Sequence, residues 1–259
     1  MMNYNKVEQV LTAFLKNEIN RIGVHKAVIG LSGGIDSAVS AFLTVKALGP
    51  ENVLCVMMPY KTSSKSSLED AQKVVKILNV KSKIVDISKM VDAYIDTLEG
   101  DVSIVRKGNV MARIRMIVLY DESAKENGIV VGTSNKTELF LGYSTLHGDS
   151  ACAINPLGQL YKTQIFELAK HLNVPKEILE KKPSADLWAG QTDEEEMGIT
   201  YAKVDKLLKA MIDEGKSDAE LQKMGFEMEY ILKVQRMIKR NEFKGLSPVV
   251  ANLTDVDLP

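Results

Sequence analysis

The sequence predicts an α/β protein built on a doubly wound parallel sheet, with helices on both faces and a helical C-terminal part. Short apolar runs alternate with stretches in which apolar residues recur at helical spacing, as in strand–helix–strand units. The first apolar run ends at a pair of glycines, and a helical stretch follows at once. Hydrophobic residues make up 45% of the 259 residues, which is enough for a substantial core.

Four strands and five helices are predicted over the first half of the chain. Apolar runs predict buried strands over residues 27–31, 53–58, 83–87 and 129–132. Helical spacing predicts helices over residues 4–22, 90–98 and 109–127. Two more helices are predicted, one from the glycine pair to Gly49 and one directly after Ser67-x-x-Asp70. Ser67-x-x-Asp70 resembles a capping box, and residues 99–107 are weakly patterned and predict a connection.

The C-terminal part is predicted to be helical. Thr192-x-x-Glu195 and Ser217-x-x-Glu220 are capping-box signatures, and helices are expected over residues 200–213, 217–224 and 226–241. We expect residues 1–259 to form one domain, since a second full domain would be a tight fit. Residues 249–259 have no periodicity and are predicted to be a disordered tail.

Composition excludes several classes of function. Thirty-three basic and thirty-four acidic residues give a net charge of -1, so no basic field favours nucleic acid. Cys55 and Cys152 lie far apart in unlike contexts, which indicates a reduced, cytoplasmic setting. No segment approaches eighteen consecutive apolar residues, so neither secretion nor a membrane span is expected.

The stretch Ser32-Gly33-Gly34-Ile35-Asp36-Ser37 has the chemistry of a phosphate site. Gly33 and Gly34 have no Cβ, so their amides can approach an anion closely. The N–H groups of the next helix's first turn and the two serine hydroxyls add donors. Asp36 makes sense beside a phosphate as a ligand to Mg²⁺, which a triphosphate normally carries. The alternative is an ordinary glycine turn, with Asp36 and Ser37 capping a helix.

The same stretch lacks the Walker pattern Gly-x-x-x-x-Gly-Lys-Ser/Thr and the dinucleotide fingerprint Gly-x-Gly-x-x-Gly. It resembles the Ser-Gly-Gly-x-Asp-Ser loop of the ATP pyrophosphatases, or PP-loop superfamily, enzymes that adenylate a substrate and release pyrophosphate. The resemblance implies a fold like that of the adenine nucleotide alpha hydrolases and ATP as co-substrate. It does not choose among the members of the superfamily.

A second polar segment, residues 133–149, follows the fourth predicted strand. If the strand order is 3-2-1-4, this segment faces the glycine loop across the crevice where such sheets bind ligands. Glu138 would then lie opposite Asp36 and is the predicted second Mg²⁺ ligand. Gly142 and Gly148 would let the loop close, and His147 within it is a base, a ligand or neither.

Three cationic side chains are further candidates. Lys162 lies near the start of a predicted helix, where a lysine opposes the helix dipole, which suggests a phosphate partner. A solvated lysine is the alternative. Arg113 and Arg115 share the predicted helix 109–127, and an arginine fork suits a carboxylate or a phosphate, with surface solvation as the alternative.

Later motifs narrow the resemblance to one family. Together with the helical C-terminal part and the tail Glu242-Phe243-Lys244-Gly245, they are similar to the successive blocks of NAD synthetases over nearly the full length of the chain. The blocks are Gly108-Asn-Val-Met-Ala-Arg-Ile-Arg-Met116, Gly132-Thr-x-x-Lys-Thr-Glu138, Gly148-Asp149, Tyr161-Lys-Thr163 and Lys182-Pro-Ser-Ala-Asp-Leu-Trp188 with Gln191-Thr-Asp-Glu-Glu195.

The resemblance implies ammonia-dependent amidation of deamido-NAD to NAD through an adenylated intermediate, with release of AMP and pyrophosphate. It implies catalytic roles for Asp36, Lys162 and Asp149, and Mg²⁺ ligands at Asp36 and Glu138. Arg113, Phe243 and Lys244 are the implied contacts to deamido-NAD. A homodimer, with the dinucleotide near the subunit interface, is implied in the same way. The implied ATP contacts are Gly30, Leu31, Ser32, Gly33, Gly34, Ile35, Asp36, Ser37, Thr133, Lys162 and Ser184.

The sequence also departs from the family. Many ammonia-using members have Thr-Lys-x-Gly-Asp with an aspartate four residues further on, where this chain has Leu146 and Ala153. The form Thr-Leu-x-Gly-Asp resembles the synthetase domain of glutamine-dependent members, although 259 residues leave no room for their glutaminase domain. Gly245 also replaces an arginine that is common in the tail. A separate glutaminase partner is therefore an open alternative to free ammonia.

Two rival functions stay open on sequence alone. One is another amidating enzyme of the superfamily, such as the ATP-pyrophosphatase subunit of a GMP synthetase, against which the blocks after residue 108 argue. The other is a nucleotide-binding sensor without turnover, which would bind ATP without producing AMP.

Overall fold

A computed structural model describes residues 2–184, 186–188, 190, 192–246 and 250–251 of the chain. Its sheet has four parallel strands, β1 (Lys26–Gly30), β2 (Val53–Met57), β3 (Lys81–Ile84) and β4 (Gly128–Val130). Their order is β3-β2-β1-β4, which meets the condition for the crevice between the first and fourth strands. Most of the predicted tail 249–259 lies outside the described residues.

Helices connect the strands and build the C-terminal part. A 3₁₀ turn (Pro50–Asn52) precedes β2, a π turn (Lys209–Asp213) follows α10, and a 3₁₀ turn (Glu242–Gly245) follows α12. The α-helices are α1 (Tyr4–Arg21), α2 (Ile35–Leu48), α3 (Lys65–Leu78), α4 (Ser88–Ile95), α5 (Ile104–Glu126), α6 (Lys136–Leu141), α7 (Lys162–His171), α8 (Lys176–Glu180), α9 (Asp193–Met197), α10 (Tyr201–Leu208), α11 (Asp218–Lys223) and α12 (Met228–Asn241).

Both faces of the sheet are buried. In β1, Ala27 and Ile29 pack into a core formed with α1, α2 and α7, whereas Val28 packs on the opposite face against Met111 and Val118 of α5. Successive strand residues point to opposite faces, so a strand covered on both sides is apolar throughout. This explains why β1 has the continuous apolar sequence from which it was predicted.

A third cluster of buried apolar residues lies in the helical C-terminal part. It joins α6 to α10, α11 and α12 and includes Leu141, Val204, Leu207 and Ile231. Because α6 lies within the polar segment 133–149, this cluster also fixes the position of that segment. Among the described residues, no helix is both long and apolar enough to cross a membrane.

Several element boundaries differ from the prediction. The helix α3 begins at Lys65 with Ser64 as its N-cap, so Ser67 lies inside the helix and is buried rather than capping it. The helix α5 begins at Ile104, within the predicted connection, because the Ser103 side chain caps it by accepting from the Arg106 amide at 3.3 Å.

The third strand also lies earlier than predicted. β3 is an edge strand with exposed side chains, whereas the predicted range 83–87 was chosen for its apolar residues. Backbone pairing with the β2 side continues beyond β3, since the Val85 amide donates to Met57 and the Ile87 amide to Pro59. Ile87 is fully buried, so the apolar pattern marks the entry to α4 rather than the strand itself.

Candidate active site

A cavity of about 530 Å³ lies at the carboxyl ends of β1, β2 and β4. From β1 the chain adds β2 and β3 on one side of the sheet and then returns to add β4 on the other side. Doubly wound sheets bind ligands in the crevice at this switch point, between β1 and β4. The glycine loop after β1 and the segment after β4 both line this cavity. The predicted meeting of these two segments is therefore observed.

The glycine loop depends on Gly33. Its φ is +79°, and a Cβ there would lie 2.1 Å from the Ser67 carbonyl oxygen, so no larger residue fits. Ser37 Oγ donates to the Gly34 carbonyl at 2.9 Å and lies 3.0 Å from Ser32 Oγ, which closes the turn from within. Gly34 is the N-cap of α2 and provides no side-chain cap. The first amides of α2 thus have no capping side chain and can bind an anion.

Lys162 lies at the centre of the polar end of the cavity. Its Nζ lies 2.5 Å from Asp36 Oδ2 and 3.2 Å from Glu138 Oε1, which joins the segments after β1 and β4. Only 2% of Lys162 is exposed, and its Nζ lies 5.0 Å from the centre of the Tyr201 ring. A buried ammonium needs such partners, because removing an unpaired charge from water costs several kcal/mol.

The local sequence explains why Glu138 points inward. Asn135 caps α6 in a capping box, where its side chain accepts from the Glu138 amide and Glu138 Oε2 accepts from the Asn135 amide. Asn135 Nδ2 also donates to Asp36 Oδ1 at 2.9 Å. Asn135 therefore holds both carboxylates beside the same ammonium, Asp36 through its side-chain amide and Glu138 through its backbone amide.

The electrostatics of this cluster are strongly perturbed. Burial raises the pKa of Glu138, as does Asp36, while Lys162 opposes the shift. Burial alone would lower the pKa of Lys162, but the carboxylates of Asp36, Glu138 and Asp193 outweigh it and raise the pKa above its usual value. Lys162 is therefore a permanent cation, and strongly perturbed groups in a cleft are typical of functional sites.

Two buried aspartates support the cluster from behind. Asp193 accepts from the Tyr201 hydroxyl at 3.0 Å, and burial raises the pKa of its carboxyl. Asp205 accepts from the Thr137 hydroxyl at 2.6 Å and from the Thr163 amide at 2.7 Å. Asp193 belongs to the acidic first turn of α9, and because it is only 4% exposed it also makes a buried positioning contact.

The segment after α6 lies along the other side of the cavity. Asp149 Oδ1 accepts from the Thr145 amide at 2.8 Å, which closes a tight turn. Lys244 Nζ donates to the carbonyls of Gly142 and Ser144 at 2.7 and 2.9 Å. The C-terminal tail thus holds the segment through its backbone.

Most of the predicted site residues meet at this cavity. Asp36, Lys162, Asp149, Glu138, Thr133, Ser184 and Lys244 line it, together with Gly30, Leu31, Ser32, Gly34, Ile35 and Ser37. Gly33 shapes the loop without itself lining the cavity. Arg113 and Phe243 lie outside: Arg113 is exposed and donates to the Leu146 carbonyl at 3.2 Å, and Phe243 is 57% exposed.

Sequence reasoning missed several residues of the site. Asn135 was seen only as part of a polar segment, although Asn135-Lys-Thr-Glu138 has the spacing of a capping box. Tyr201 and Asp193 had no signal in sequence, because their link to Lys162 depends on the packing of the C-terminal helices. Arg115, for which the sequence offered a carboxylate or phosphate partner or surface solvation, lines the cavity.

The residues present fit a divalent cation that is shared with a nucleotide. Asp36 and Glu138 converge on one cation, the Lys162 ammonium. Among the described residues, no group of three or more His, Cys, Asp or Glu side chains could hold a metal ion without other ligands. Mg²⁺ usually takes one or two protein carboxylates and completes its shell with phosphate oxygens and water, which agrees with this donor set.

Comparison with known proteins identifies the family. The family model described as NAD synthase matches residues 7–248. The chain belongs to the NAD synthase family. An NH(3)-dependent NAD(+) synthetase of Chlorobium phaeobacteroides (strain BS1) is 51% identical over 253 residues, which cover 98% of this chain and 91% of that relative.

Two solved structures share the fold of this NAD synthase family member. The NH3-dependent NAD synthetase of Campylobacter jejuni, in complex with the nitrate ion, has a TM-score of 0.83 at 38% identity. The NMN synthetase of Francisella tularensis has a TM-score of 0.87 at 35% identity. Each match covers 97% of this chain and 100% of the other.

Two of the three departures from the NAD synthase family pattern, Leu146 and Ala153, lie beside the cavity rather than in its wall. The carbonyl of Leu146 accepts from Arg113, and the Ala153 amide donates to the Val130 carbonyl at 3.1 Å, next to β4. Neither residue is part of the cavity lining.

Proposed function

We propose that this member of the NAD synthase family makes NAD by amidating deamido-NAD with ammonia, at the expense of ATP. The reaction passes through an adenylated intermediate and releases AMP and pyrophosphate. One observation carries the assignment of the site: the glycine loop, two carboxylates and a buried lysine converge on a single cavity at the β1–β4 crevice. The relatives named above support the choice of substrates.

The glycine loop would bind the phosphates of ATP. The first-turn amides of α2 and the hydroxyl of Ser32 provide donors, and the partial positive end of the helix favours an anion. Thr133 and Ser184 line the same cavity and are the further proposed ATP contacts. Lys162 would add a fixed positive charge at the phosphates, since its ammonium stays protonated.

Asp36 and Glu138 are the proposed Mg²⁺ ligands. The metal, when bound with ATP, would neutralise charge that develops on the phosphates. The chain's own contribution is to hold both carboxylates in place, through Asn135 and the capping box of α6. With two carboxyl groups already present, the site favours ATP that arrives with a cation over free ATP.

The chemistry needs no nucleophilic side chain. A nicotinate carboxylate oxygen attacks the α-phosphorus of ATP, the bond to pyrophosphate breaks, and a mixed anhydride forms. The nitrogen of ammonia then attacks the carboxyl carbon and loses a proton, and AMP leaves with the attacking oxygen. Fixed positive charge and alignment of the reactants provide most of the rate enhancement, and exclusion of water protects the mixed anhydride from hydrolysis. Asp149, in the segment that borders the cavity, is the proposed residue of the closing loop.

The substrate contacts outside the cavity point to a homodimer. Arg113 and Phe243 are proposed contacts to deamido-NAD, yet both lie at the surface. The helix α5, which carries Arg113, also exposes apolar side chains, including Ile117 at 54% and Tyr120 at 41%. A second subunit against α5 would cover these side chains and place the dinucleotide near the interface, with Lys244 reaching it from the tail.

A second candidate substrate is the mononucleotide. The similarity in fold to an NMN synthetase, with a TM-score of 0.87, favours testing it. Amidation of the deamido mononucleotide would use the same adenylation chemistry and the same nicotinate end. The two substrates differ only in the distal nucleotide, which the residues outside the cavity would bind.

The experiment supplies purified protein with ATP, Mg²⁺ and ammonium, together with either deamido-NAD or the deamido mononucleotide. We expect NAD and AMP in equal amounts from the dinucleotide, with a higher kcat/KM than for the mononucleotide. A preference for the mononucleotide would replace the proposed substrate. Binding of ATP without AMP from either substrate would indicate a sensor. A further reaction with glutamine in place of ammonium tests whether the nitrogen comes from free ammonia or from a separate glutaminase partner. If a glutaminase is needed to use glutamine, the protein alone forms no NAD from it.

A further inference from the structure

Arg115 is a charged residue of the cavity wall that the proposed mechanism does not use. It projects from α5 into the cavity, and its Nε donates to the Met58 carbonyl at 3.1 Å. Met58 directly follows β2, so this hydrogen bond holds the guanidinium at the carboxyl end of that strand. The side chain is half-buried and keeps its charge at any physiological pH.

The two Nη atoms of Arg115 have no partner among the residues that the structure describes. Across the described ranges of the chain, no carboxylate oxygen lies within 4.0 Å of Arg115, and the bond from Nε is its only side-chain hydrogen bond. Lys162, another cation of the cavity wall, has two carboxylates within 3.2 Å. An arginine that is held in a cavity wall with both Nη atoms unpaired is prepared for an anion that is not part of the protein.

The nearby carboxylates do not take that place. Asp149 and Asp186 influence the pKa of Arg115, which burial lowers and both carboxylates raise. Each of them, however, accepts from a backbone amide: Asp149 from Thr145 at 2.8 Å, and Asp186 from Ser64 at 3.1 Å. Both are therefore already engaged and lie near the guanidinium without pairing with it.

The sheet topology places this cation relative to the rest of the site. Arg115 is bound at the end of β2, whereas Lys162 joins the segments after β1 and β4. Since β2 and β4 both neighbour β1, each of the two side chains is held at a strand end beside the glycine loop. An anion at Arg115 would thus lie in the same cavity as Asp36 and Glu138.

We propose that Arg115 binds an oxyanion of the nucleotide substrates, a carboxylate or a phosphate, through both Nη atoms. This inference rests on the proposed function for the identity of the substrates. The planar fork of a guanidinium matches two oxygens of one group, which a lysine cannot do. The oxyanion belongs to ATP, to the nicotinate carboxylate of deamido-NAD or to the phosphates of the dinucleotide, and binding experiments separate these three.

The test measures binding without turnover, by calorimetry, for Mg²⁺-ATP, deamido-NAD and NAD added one at a time. The variants are Arg115→Met and Arg115→Lys, with Arg106→Met as the control, since Arg106 is an exposed arginine of the same helix. We expect Arg115→Met to weaken at least one ligand by about 10-fold or more, because a charge-assisted pair is lost. Arg115→Lys keeps the charge but not the fork and should restore part of the affinity.

The pattern of losses identifies the oxyanion. If only the affinity for Mg²⁺-ATP falls, the oxyanion belongs to ATP. Weaker deamido-NAD with unchanged NAD assigns it to the nicotinate carboxylate, which NAD lacks. Equal loss for both dinucleotides assigns it to their phosphates.

Stability separates a ligand-binding residue from a structural one. Replacing an unpaired cation in a cavity wall by an apolar side chain should leave the thermal midpoint of the ligand-free protein unchanged or higher. Wild-type affinities for all three ligands in Arg115→Met would overturn the proposal, as would a lower midpoint with unchanged affinities. If Arg115→Met does not fold, wild-type affinities in Arg115→Lys would overturn the proposal that both Nη atoms bind one oxyanion. Formation of NAD by the wild-type protein tests the proposed function separately.

Discussion

At the scale of single residues, the site is organised around one buried ammonium that faces two carboxyl groups. Lys162 begins α7, and its backbone amide donates to Thr137 Oγ1 at 3.0 Å, which ties the start of that helix to α6. The sequence predicted Asp36 and Glu138 on opposite sides of a crevice and Lys162 as a phosphate contact. It could not predict that the three meet, since that depends on how α7 packs beside α6.

The first prediction concerns Asp36. Asp36→Asn should lower NAD formation by about 100-fold or more, because it removes a carboxylate from the charge cluster at the phosphates. The fold should persist, since the asparagine can still accept from the Asn135 side chain. Steady-state assays and thermal unfolding measure both effects.

The matched control is Asp101→Asn, an exposed aspartate between α4 and α5. It should retain wild-type activity. An Asp36→Asn enzyme that keeps more than about a tenth of the activity would contradict the proposed role.

At the scale of elements, the glycine loop is the part of the site that the sequence predicted best. A strand, two glycines and a helix follow each other within a few residues, so local rules determine the turn. Boundaries were predicted less well where tertiary contacts decide them. β3 is an edge strand with exposed side chains, and α5 begins at a serine cap within a segment that had no clear periodicity.

The second prediction tests the glycine loop. Gly33→Ala places a Cβ 2.1 Å from the Ser67 carbonyl oxygen at a φ of +79°, so the loop must shift. Both stability and ATP affinity should fall, as measured by thermal unfolding and by calorimetry. Gly215→Ala is the control: its φ is +64°, and a Cβ there meets nothing within 4 Å.

Backbone strain alone, at Gly215, should cost about 1 kcal/mol and leave ATP binding unchanged. The difference between the two variants then measures the collision with Ser67. If Gly33→Ala and Gly215→Ala lose the same stability and both keep wild-type ATP affinity, the loop tolerates a side chain at Gly33 and the prediction is wrong.

The third prediction concerns the packing of α1 against α2 and α7. Glu8 accepts from Lys46 at 2.6 Å and lies 2.8 Å from His171 Nε2. Burial alone would raise the pKa of Glu8, but its contacts with Lys46 and His171 outweigh it and lower the pKa. A lowered carboxyl pKa stabilises the fold above the unfolded-state pKa, and the effect is lost as the pH falls through the folded-state pKa.

Glu8→Gln should therefore lower the free energy of unfolding by about 0.5 kcal/mol at pH 7, a small value because the pair is partly exposed. The difference from wild type should shrink as the pH falls below the ordinary carboxyl pKa of about 4 and vanish once Glu8 is protonated in both states. Glu69→Gln, an exposed residue of α3 for which the described residues provide no ion pair, should change nothing at either pH. A Glu8→Gln deficit that persists in acid would rule out the ionic explanation.

At the scale of the whole molecule, the cavity is assembled from segments far apart in the chain. The glycine loop comes from the first forty residues, Glu138 and Lys162 from the middle, and Tyr201 and Lys244 from the C-terminal part. Sequence order and the rule for strand reversal were enough to predict which strand ends meet. The contributions of Tyr201, Asp193 and Arg115 required the three-dimensional packing, because nothing local distinguishes these residues from a structural tyrosine, a helix cap or a surface arginine.

The fourth prediction tests the central claim, that the carboxylate of deamido-NAD is activated by adenylation in this cavity. Deamido-NAD labelled with oxygen-18 in its carboxylate is converted with ATP, Mg²⁺ and ammonium, and the AMP is analysed by mass spectrometry. If the carboxylate attacks the α-phosphorus, one labelled oxygen must pass to the phosphate of each AMP, and pyrophosphate must stay unlabelled. Formation of NAD together with unlabelled AMP would contradict the account.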